Sequence, residues 1–222
     1  MDIKAIKKTI SREIKTKIKG KKEYGSEWKG ADDKWYEKIH NSNYLIHDDF
    51  INYFNHRKTE IQTILEVGCG TGIYPVKNQK MFESFKYLGF DISQDAINFC
   101  KKNSPYDFRC GDFIKDDFNE KFDLVFSHAV IDHVYDIDSF LIKIVDTTKK
   151  FAFINSYRGY FPDMEEHKMK WRDDQACYFN DLSVNRIKQV LLDLGLSKSE
   201  FIIRPQDNGY GVLQTTIEIT KN

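Results

Sequence analysis

Residues 61–74 read IQTILEVGCGTGIY. The apolar run from Ile64 to Val67 has the length and composition of a buried parallel strand. It leads directly into the glycine-rich run GCGTG at 68–72 and then into residues that can start a helix. Glycine allows a tight turn and a close ligand approach, and a helix N-terminus presents unpaired N–H groups. The stretch therefore predicts a cradle for a nucleotide-like ligand.

The glycine spacing separates this cradle from the NAD-binding fingerprint. That fingerprint, G-x-G-x-x-G, needs a third glycine where this chain has Ile73. The spacing here is G-x-G-x-G, and E-V-G-C-G-T-G at the end of a first strand resembles motif I of class I S-adenosylmethionine-dependent methyltransferases. The resemblance implies that the cofactor is contacted by Gly68, Cys69, Gly70 and Gly72.

Two acidic residues stand where the same resemblance implies cofactor contacts. Glu66, just before the glycines, matches the position that neutralises the amino-acid end of the cofactor. Asp91 ends the second predicted strand about 19 residues after the glycine loop, where a carboxylate can accept hydrogen bonds from both ribose hydroxyls. Alternatively, Glu66 could interact with the helix dipole and Asp91 could cap the next helix.

The third and fourth predicted strands carry further matches to this family. The resemblance implies that Asp112 accepts a hydrogen bond from the adenine amino group, while Phe113 and Ile92 flank the ring. Asp112 could instead cap the segment that follows it. The fourth strand begins FDLV at 122–125, which is similar to motif IV, and Ser127 is expected to line the cofactor site. The similarity covers roughly residues 60–156.

Composition limits the protein class. At 222 residues the chain can form one full core, so a single α/β domain with an extension is expected. Charged residues make up 31% of the chain and balance to zero, which indicates no polyanionic partner. Four cysteines without a C-x-x-C pair indicate reduced thiols rather than a disulfide framework or a zinc site. Because neither a signal sequence nor a membrane-length apolar run is found, a cytoplasmic protein without a membrane span is predicted.

The N-terminus has a different charge from the rest. Residues 1–22 hold nine Lys/Arg against Asp2 and Glu13, which leaves the remainder acidic. Isoleucines at three- and four-residue steps predict a basic helix over 2–19. This helix would pack on the domain or on a second subunit, which would give a homodimer. The alternatives are an arm for nucleic acid or an anionic membrane, and a frayed tail. No aromatic residues alternate with the lysines, which disfavours nucleic acid.

Two segments have the composition of covers over a pocket. Residues 21–36 are polar, contain glycines and are rich in aromatic side chains, which favours a lid, although these rings could simply pack on the core. Residues 157–180 resist assignment to helix or strand. They follow the fifth predicted strand, on the side where open α/β sheets bind ligands. We interpret 157–180 as a substrate-binding cover, with a partner surface as the alternative.

From residue 62 the sequence alternates between strand and helix patterns. Strands are predicted near 62–67, 86–91, 106–110, 122–127 and 150–156, and helices near 71–82, 93–102 and 137–148. Such alternation predicts a parallel sheet with helices on both faces. A further helix over 43–57, with Phe50 and Phe54 on its apolar face, should cover the start of the sheet.

The last third of the sequence predicts an antiparallel ending. Asp181 can cap a helix that Gly195 ends, and two strand patterns, 201–204 and 212–220, flank the hairpin turn at 207–209. The predicted fold is α/β: a Rossmann-like doubly wound sheet of seven strands, mostly parallel, with an antiparallel C-terminal hairpin and an N-terminal helical extension. The resemblance implies the same arrangement. We assign 1–58 to N-terminal helices and lid, and 59–222 to the cofactor-binding domain.

Methyl transfer to a hydroxyl needs a base to take the proton, and histidine is the side chain best matched to neutral pH. His128, directly after the fourth strand, is the first candidate for a base or substrate ligand, and His133 is the second. Either histidine could instead have only a structural role. Tyr157 and Arg158, just past the fifth strand, are candidates for gripping an anionic or sugar-like substrate. The spacing of His128, Asp132 and His133 is not a strong ligand pattern, so no metal is predicted.

The sequence therefore predicts methyl transfer from S-adenosylmethionine to a small polar acceptor, with S-adenosylhomocysteine as the product. We favour O-methylation of a sugar or phosphorylated metabolite, because the two covers suggest an enclosed pocket. The residues after the fourth strand, SHAV, lack the N/D-P-P-Y/F motif of enzymes that methylate base amino groups. One alternative is an RNA methyltransferase using the basic arm, which the acidic remainder disfavours. The other is a non-catalytic cofactor-binding subunit, which the intact glycines and Asp91 disfavour.

Overall fold

The computed structural model of the chain describes residues 22–28, 45–207, 209 and 211–221. The strands are β1 (Thr63–Val67), β2 (Lys86–Asp91), β3 (Asp107–Cys110), β4 (Phe122–His128), β5 (Thr148–Ser156), β6 (Lys168–Arg172), β7 (Cys177–Asp181), β8 (Phe201–Asp207) and β9 (Leu213–Thr220). The helices are α1 (Leu45–Arg57), α2 (Gln94–Asn103), α3 (Ile137–Thr147) and α4 (Val184–Asp193). Seven strands form one sheet in the order β3-β2-β1-β4-β5-β9-β8, and β6 pairs with β7 separately.

The direction of the strands follows the predicted pattern. β1 to β5 run parallel to one another, whereas β9 runs antiparallel between β5 and β8. The hairpin closes with Asp207 opposite Leu213, around the glycine turn expected from the sequence. The predicted seven-stranded Rossmann-like sheet with an antiparallel ending is therefore confirmed.

The sheet separates two apolar cores, because alternate residues of a strand face opposite sides. α1 and α2 cover one side, where Phe50 stacks on Phe126 with ring centroids 4.2 Å apart. α3 and α4 cover the other side, where Leu141 and Leu191 pack in the same cluster as Val125. The functional loops must therefore emerge at the strand ends, where neither layer of helices covers them.

α1 fixes the N-terminal part of the described chain to the sheet. The Tyr53 hydroxyl donates towards the carbonyl oxygens of Ala152 and Ile219, at 3.2 and 3.3 Å, and so links α1 to β5 and β9. The predicted basic helix over 2–19, with its proposed dimer contact, lies outside the described residues. Of the predicted lid, only 22–28 is described.

The prediction of a helix over 71–82 was wrong. The chain forms one wide π-type turn at Ile73–Lys77 and a short 3₁₀ turn at Gln79–Met81. Gly72 precedes the first turn in the left-handed conformation, with φ of +73°, and Pro75 has no N–H to donate to a helix. The Tyr74 ring is also buried between Phe50 and Phe126, so tertiary packing fixes the turn.

The predicted cover at 157–180 contains regular structure that the sequence did not reveal. β6 and β7 form an antiparallel hairpin within and just beyond this segment, with Arg172 opposite Cys177. Asp181 was wrongly expected to cap the next helix, since it ends β7. Ser183 is the cap, and its hydroxyl accepts the N–H of Arg186 at 2.9 Å. Gly195 does end the helix, as predicted, with φ of +85°.

Candidate active site

The glycine loop lies open at the carboxyl end of β1. Gly68, Gly70 and Gly72 have φ of +73°, +50° and +73°, in the left-handed region that glycine adopts readily. Among the described residues, no atom lies within 4 Å of the point where a side chain on Gly70 would begin. A ligand can therefore approach the backbone there. The Cys69 side chain is buried in the core on the α1 side, which leaves its backbone to face a ligand.

The glycine loop packs directly against the loop that follows β4. A methyl group on Gly68 would lie 2.1 Å from Cγ2 of Val130, so only glycine fits at this position. Val130 begins the segment VIDHV at 130–134, which contains His133. The predicted cofactor loop and the predicted catalytic loop are thus in van der Waals contact.

Asp91 lies beside the glycine loop with both carboxylate oxygens engaged. Oδ2 accepts the N–H of Gly70 and Oδ1 accepts the N–H of Ser93, each at 2.8 Å. Ser93 caps α2 by accepting the N–H of Ala96 at 3.3 Å, so Asp91 is not needed as the cap. Burial raises the pKa of Asp91, while the backbone N–H groups oppose that effect. Because a carboxylate offers about four acceptor positions, Asp91 can also receive the two ribose hydroxyls.

Asp112, the predicted adenine contact, caps the segment that follows it, because its Oδ1 accepts the N–H of Ile114 at 3.1 Å. The Tyr135 hydroxyl donates to both oxygens of Asp112, at 3.2 and 3.0 Å. Tyr24 packs edge-on against Tyr135, with ring centroids 5.1 Å apart. Phe113 is buried in the α3-side core, whereas the side chain of Ile92 reaches towards the described part of the lid, at Gly25. The structure thus places Ile92 beside the lid residues that approach Asp112, but places Phe113 mainly in the core.

Glu66 and Ser127 are buried polar residues below this surface. The Tyr87 hydroxyl donates to Glu66, and burial raises the pKa of Glu66 to about 8. The Ser127 hydroxyl oxygen is also buried and has no hydrogen-bond partner among the described residues. Both side chains are therefore enclosed by protein, at 4% and 0% exposure, and neither lies on the open surface of the glycine loop.

Residues 22–28 connect the cofactor half of the site with the catalytic loop. The carbonyl oxygen of Trp28 accepts the Ser93 hydroxyl at 2.8 Å, and the indole ring packs edge-on against His133, with centroids 6.1 Å apart. Gly25 donates its N–H to the carbonyl oxygen of Ala176, at 2.8 Å, in the turn between β6 and β7. The described part of the predicted lid therefore touches both sides of the expected pocket.

The two candidate histidines lie in different surroundings. His128 packs among Phe50, Tyr74 and Phe153, on the α1 side of the sheet, with ring centroids 5.1, 5.4 and 5.7 Å away. Its Nε2 lies 3.0 Å from the Tyr74 hydroxyl. An aromatic cluster of this kind suits a structural histidine. The structure does not bring His128 and His133 together as one catalytic group.

His133 faces the hairpin β6–β7 and has a defined tautomer. Its Nδ1 is 2.8 Å from the carbonyl oxygen of Tyr178, and a carbonyl can only accept, so Nδ1 of the neutral ring carries the proton. Nε2 is then the unprotonated nitrogen, and the Tyr157 hydroxyl donates to it across 2.9 Å. Burial lowers the pKa of His133, which keeps the ring neutral near pH 7. Nε2 of His133 can therefore take up a proton.

Tyr157 and Arg158, which directly follow β5, lie beside His133. Tyr157 is 38% exposed and can be reached from solvent. Arg158 is ion-paired, because its Nε and Nη2 donate to Oδ1 of Asp181 at 3.2 and 2.9 Å. The guanidinium also lies 4.7 Å from the ring centroid of Phe179. An anionic acceptor would therefore have to share Arg158 with Asp181.

Two residues of this site were missed from the sequence. One sequence signal could have identified Tyr135. It is an aromatic residue directly after the segment D-H-V, on the loop that was already predicted to be catalytic. The ring centroid of Phe179 lies 5.3 Å from that of His133. Phe179 reaches this position through the hairpin β6–β7, whose largely polar sequence gave no clear strand pattern.

Across the described ranges, no group of three or more His, Cys, Asp or Glu side chains could hold a metal ion. In that same part of the chain, no helix combines the length and apolar character needed to cross a membrane.

Comparison with known proteins identifies the family of this domain. A family model described as a methyltransferase domain matches residues 58–200. A malonyl-[acyl-carrier protein] O-methyltransferase of Calditerrivibrio nitroreducens is 30% identical over 95 residues, which are 43% of this chain and 37% of that protein. A second protein of this description, from Ilyobacter polytropus, is 28% identical over 163 residues, or 65% of this chain and 59% of that protein. The chain thus matches less than two thirds of the length of these relatives.

The fold has a counterpart among solved structures. The N-terminal domain of EvdMO1, solved with S-adenosylhomocysteine bound, superposes with a TM-score of 0.60 and 15% sequence identity. The superposition covers 78% of this chain and 80% of that domain. At this identity the likeness concerns the fold alone. Together with the family model, which covers well over half of the sequence, it shows that this chain belongs to the class I S-adenosylmethionine-dependent methyltransferases.

Proposed function

We propose that this protein transfers a methyl group from S-adenosylmethionine to an oxygen atom of a small polar acceptor. The observation that carries the proposal is the unprotonated Nε2 of His133, which lies beside an exposed tyrosine hydroxyl and beneath Trp28. The residues present fit the cofactor. The open backbone at Gly70 leaves steric room for it, and the spare acceptor positions of Asp91 can receive its hydroxyl groups.

When bound, S-adenosylmethionine supplies an activated methyl group on a sulfonium centre. The chain must align the acceptor oxygen and remove its proton. An acceptor hydroxyl can donate to the Tyr157 oxygen while Tyr157 donates to Nε2 of His133. As the carbon–oxygen bond formed and the methyl–sulfur bond broke, with neutral S-adenosylhomocysteine as the leaving group, the acceptor proton would pass to Tyr157 and the Tyr157 proton to His133. The imidazolium then holds the proton that the reaction releases, and the charges balance.

We infer a sugar or phosphorylated metabolite as the acceptor. Arg158 supports an anionic group, because a phosphate can pair with the guanidinium as a second anion beside Asp181. The aromatic rings of Trp28 and Phe179 beside His133 support a pocket that can hold a sugar ring or another compact group. Both features favour a small acceptor over a polymer.

A carboxylate is the second candidate for the acceptor, because the relatives are described as malonyl-[acyl-carrier protein] O-methyltransferases. A carboxylate is already ionised at neutral pH and needs no base. In that case Arg158 would orient the acceptor and His133 would only line the pocket. The two candidates therefore differ in whether they need Nε2 of His133.

Calorimetric titration with S-adenosylmethionine and S-adenosylhomocysteine is the first test. We expect micromolar binding of both, and no binding of either would contradict the proposal. A screen with methyl-labelled cofactor against sugars, phosphorylated metabolites and acyl carboxylates then identifies the acceptor. If no compound of these classes is methylated, the protein binds the cofactor without the proposed transfer, and the proposal is refuted.

The effect of replacing His133 distinguishes a hydroxyl from a carboxylate. With a hydroxyl acceptor, His133→Gln should lower kcat by about 10²- to 10⁴-fold, the usual contribution of a general base. With a carboxylate acceptor, kcat should change little. His56→Gln is the matched control, because His56 lies exposed near the end of α1 and should not affect turnover. A loss of activity in both variants would rule out a specific role for His133.

A further inference from the structure

Asp132 is a fully buried aspartate immediately before His133. A buried carboxyl group is unfavourable unless hydrogen bonds compensate it. Burial raises the pKa of Asp132 to about 7, against hydrogen bonds from Ser156 and from backbone N–H groups that lower it. The proton transfer described above does not use this aspartate, so its burial needs another explanation.

The Asp132 side chain binds the chain on both sides of Tyr157. Its Oδ1 accepts the Ser156 hydroxyl at 2.6 Å and the N–H of Arg158 at 3.2 Å. Tyr157 lies between these two partners, so its backbone is held at the end of β5 from both directions. The Tyr157 hydroxyl is the group that donates to Nε2 of His133, the residue next to Asp132.

We propose that Asp132 is a positioning residue that holds Tyr157 against Nε2 of His133 and so fixes the path along which the acceptor proton leaves. This inference rests on the proposed function for its purpose, but the contact it describes can be measured without an acceptor. Asp132 acts here through Tyr157 and touches neither the acceptor nor the cofactor in this arrangement.

The main chain fixes the other side of His133 independently of the Asp132 side chain. The N–H of Asn180 donates to the carbonyl oxygen of Asp132 at 2.8 Å, and its side-chain amide donates to Ile131 and Val134. This network holds the loop against β7, whose Tyr178 carbonyl accepts from Nδ1 of His133. Replacing the Asp132 side chain should therefore loosen Tyr157 and leave the Nδ1 contact in place.

The titration of His133 reports this contact. A hydroxyl that donates to Nε2 stabilises the neutral ring, so losing the Tyr157 bond should raise the titration midpoint of His133 by about 0.5–1 unit. The charged and titratable groups that face His133 are Tyr157 and Arg158 after β5 and Cys177 on β7, and Asp132 precedes it in the chain. Because the pKa of Asp132, about 7, lies above that of His133, Asp132 is largely uncharged at the His133 midpoint; losing its remaining negative charge would lower the midpoint, so the sign still separates the two effects.

The experiment is NMR titration of the histidine ring nitrogens in the full chain, with His133→Gln used for assignment. The Tyr157→Phe variant measures how far the titration midpoint of His133 rises when this hydrogen bond is lost. Asp132→Ala should reproduce most of that rise, and the double variant should add nothing to Tyr157→Phe, because both changes remove one contact. Additive shifts, or no rise with Asp132→Ala, would overturn the inference.

Two controls separate positioning from general stability. Asp132→Asn keeps an oxygen in the Oδ1 position and should show no rise. Asp123→Ala removes another buried aspartate, which accepts the N–H groups of Gln62 and Thr63 at the opposite end of β4. It should lower Tm without moving His133, and an equal shift in this control would also overturn the inference.

If Asp132→Ala does not fold, Ser156→Ala replaces it, because it removes only the 2.6 Å bond to Oδ1. A rise in the His133 midpoint supports the inference, and an unchanged midpoint contradicts it. S-adenosylhomocysteine affinity should remain within about twofold of the wild type in each folded variant. A His133 shift without any methyl transfer by the wild type would refute the proposed function and leave the positioning role intact.

Discussion

Replacing Asp91 with alanine should weaken the binding of S-adenosylhomocysteine by about 1.5–3 kcal/mol, or about 10- to 150-fold in Kd. Asp91 accepts one backbone N–H on each carboxylate oxygen, from Gly70 and from Ser93, both at 2.8 Å. Each oxygen therefore retains one acceptor position, and the two positions match the two ribose hydroxyls.

The magnitude follows from these contacts. A hydrogen bond to a charged group contributes about 1.5–3 kcal/mol, so two ribose bonds would suggest a larger loss. In the alanine variant, water can take the place of the carboxylate beside the ribose hydroxyls. That replacement offsets part of the loss of the two bonds. We therefore expect the net loss to be about that of one charged hydrogen bond.

Isothermal titration calorimetry on the purified chain measures this loss directly. Asp107→Ala is the control, because Asp107 is an exposed aspartate on the neighbouring strand β3. Its substitution should leave Kd within about twofold of the wild type. Unchanged affinity in Asp91→Ala would show that the carboxylate only braces the glycine loop and that the ribose assignment is wrong.

Four further substitutions test other parts of the structure. Gly70→Ala should lower stability by only about 1–2 kcal/mol, the cost of its left-handed conformation, yet abolish S-adenosylhomocysteine binding in calorimetry, because the methyl group enters the open face of the loop. Glu66→Gln should reduce the pH dependence of the free energy of unfolding, measured by urea denaturation. The raised pKa of Glu66 in the folded state, about 8, means that the wild type loses stability between about pH 4.5 and 8, at up to about 1.4 kcal/mol per pH unit. Tyr157→Phe should lower kcat by about tenfold or more with a smaller change in cofactor Kd, and equal losses in both would contradict a role in proton transfer. Phe50→Ala should destabilise the chain by about 3–5 kcal/mol in urea unfolding, since its ring is fully buried between α1 and the sheet.

Much of the fold could be predicted because its signals are local. The strand before Gly68, the alternation of strands and helices, and the turn before β9 each depend on short stretches of sequence. Even the face on which His128 lies follows from strand geometry, because it is two residues beyond Phe126 and must point to the same side. Applied strictly, that rule directs His128 into the α1-side core and favours His133 as the base.

The remaining features depend on contacts between distant residues. Residues 73–77 form one wide turn because Tyr74 is drawn into the core below α1, and no local pattern announces that burial. Most residues of β6, the first strand of the hairpin β6–β7, are charged or exposed. An alternation of apolar and polar residues therefore could not reveal this strand in the sequence. The place of Phe179 beside His133 depends on that hairpin, and this is why the residue was not singled out although 157–180 was predicted to be a substrate-binding cover.

The contact between Gly68 and Val130 has a consequence for how related chains can diverge. Because a methyl group at 68 would lie 2.1 Å from the Val130 side chain, any residue larger than glycine at 68 requires one smaller than valine at 130. We expect the two positions to covary in an alignment of homologues. The loop that carries His133 then cannot change freely without a matching change in the glycine loop. New acceptor specificities in such a lineage would arise more readily from residues 22–28 and the hairpin β6–β7, which that coupling does not restrain.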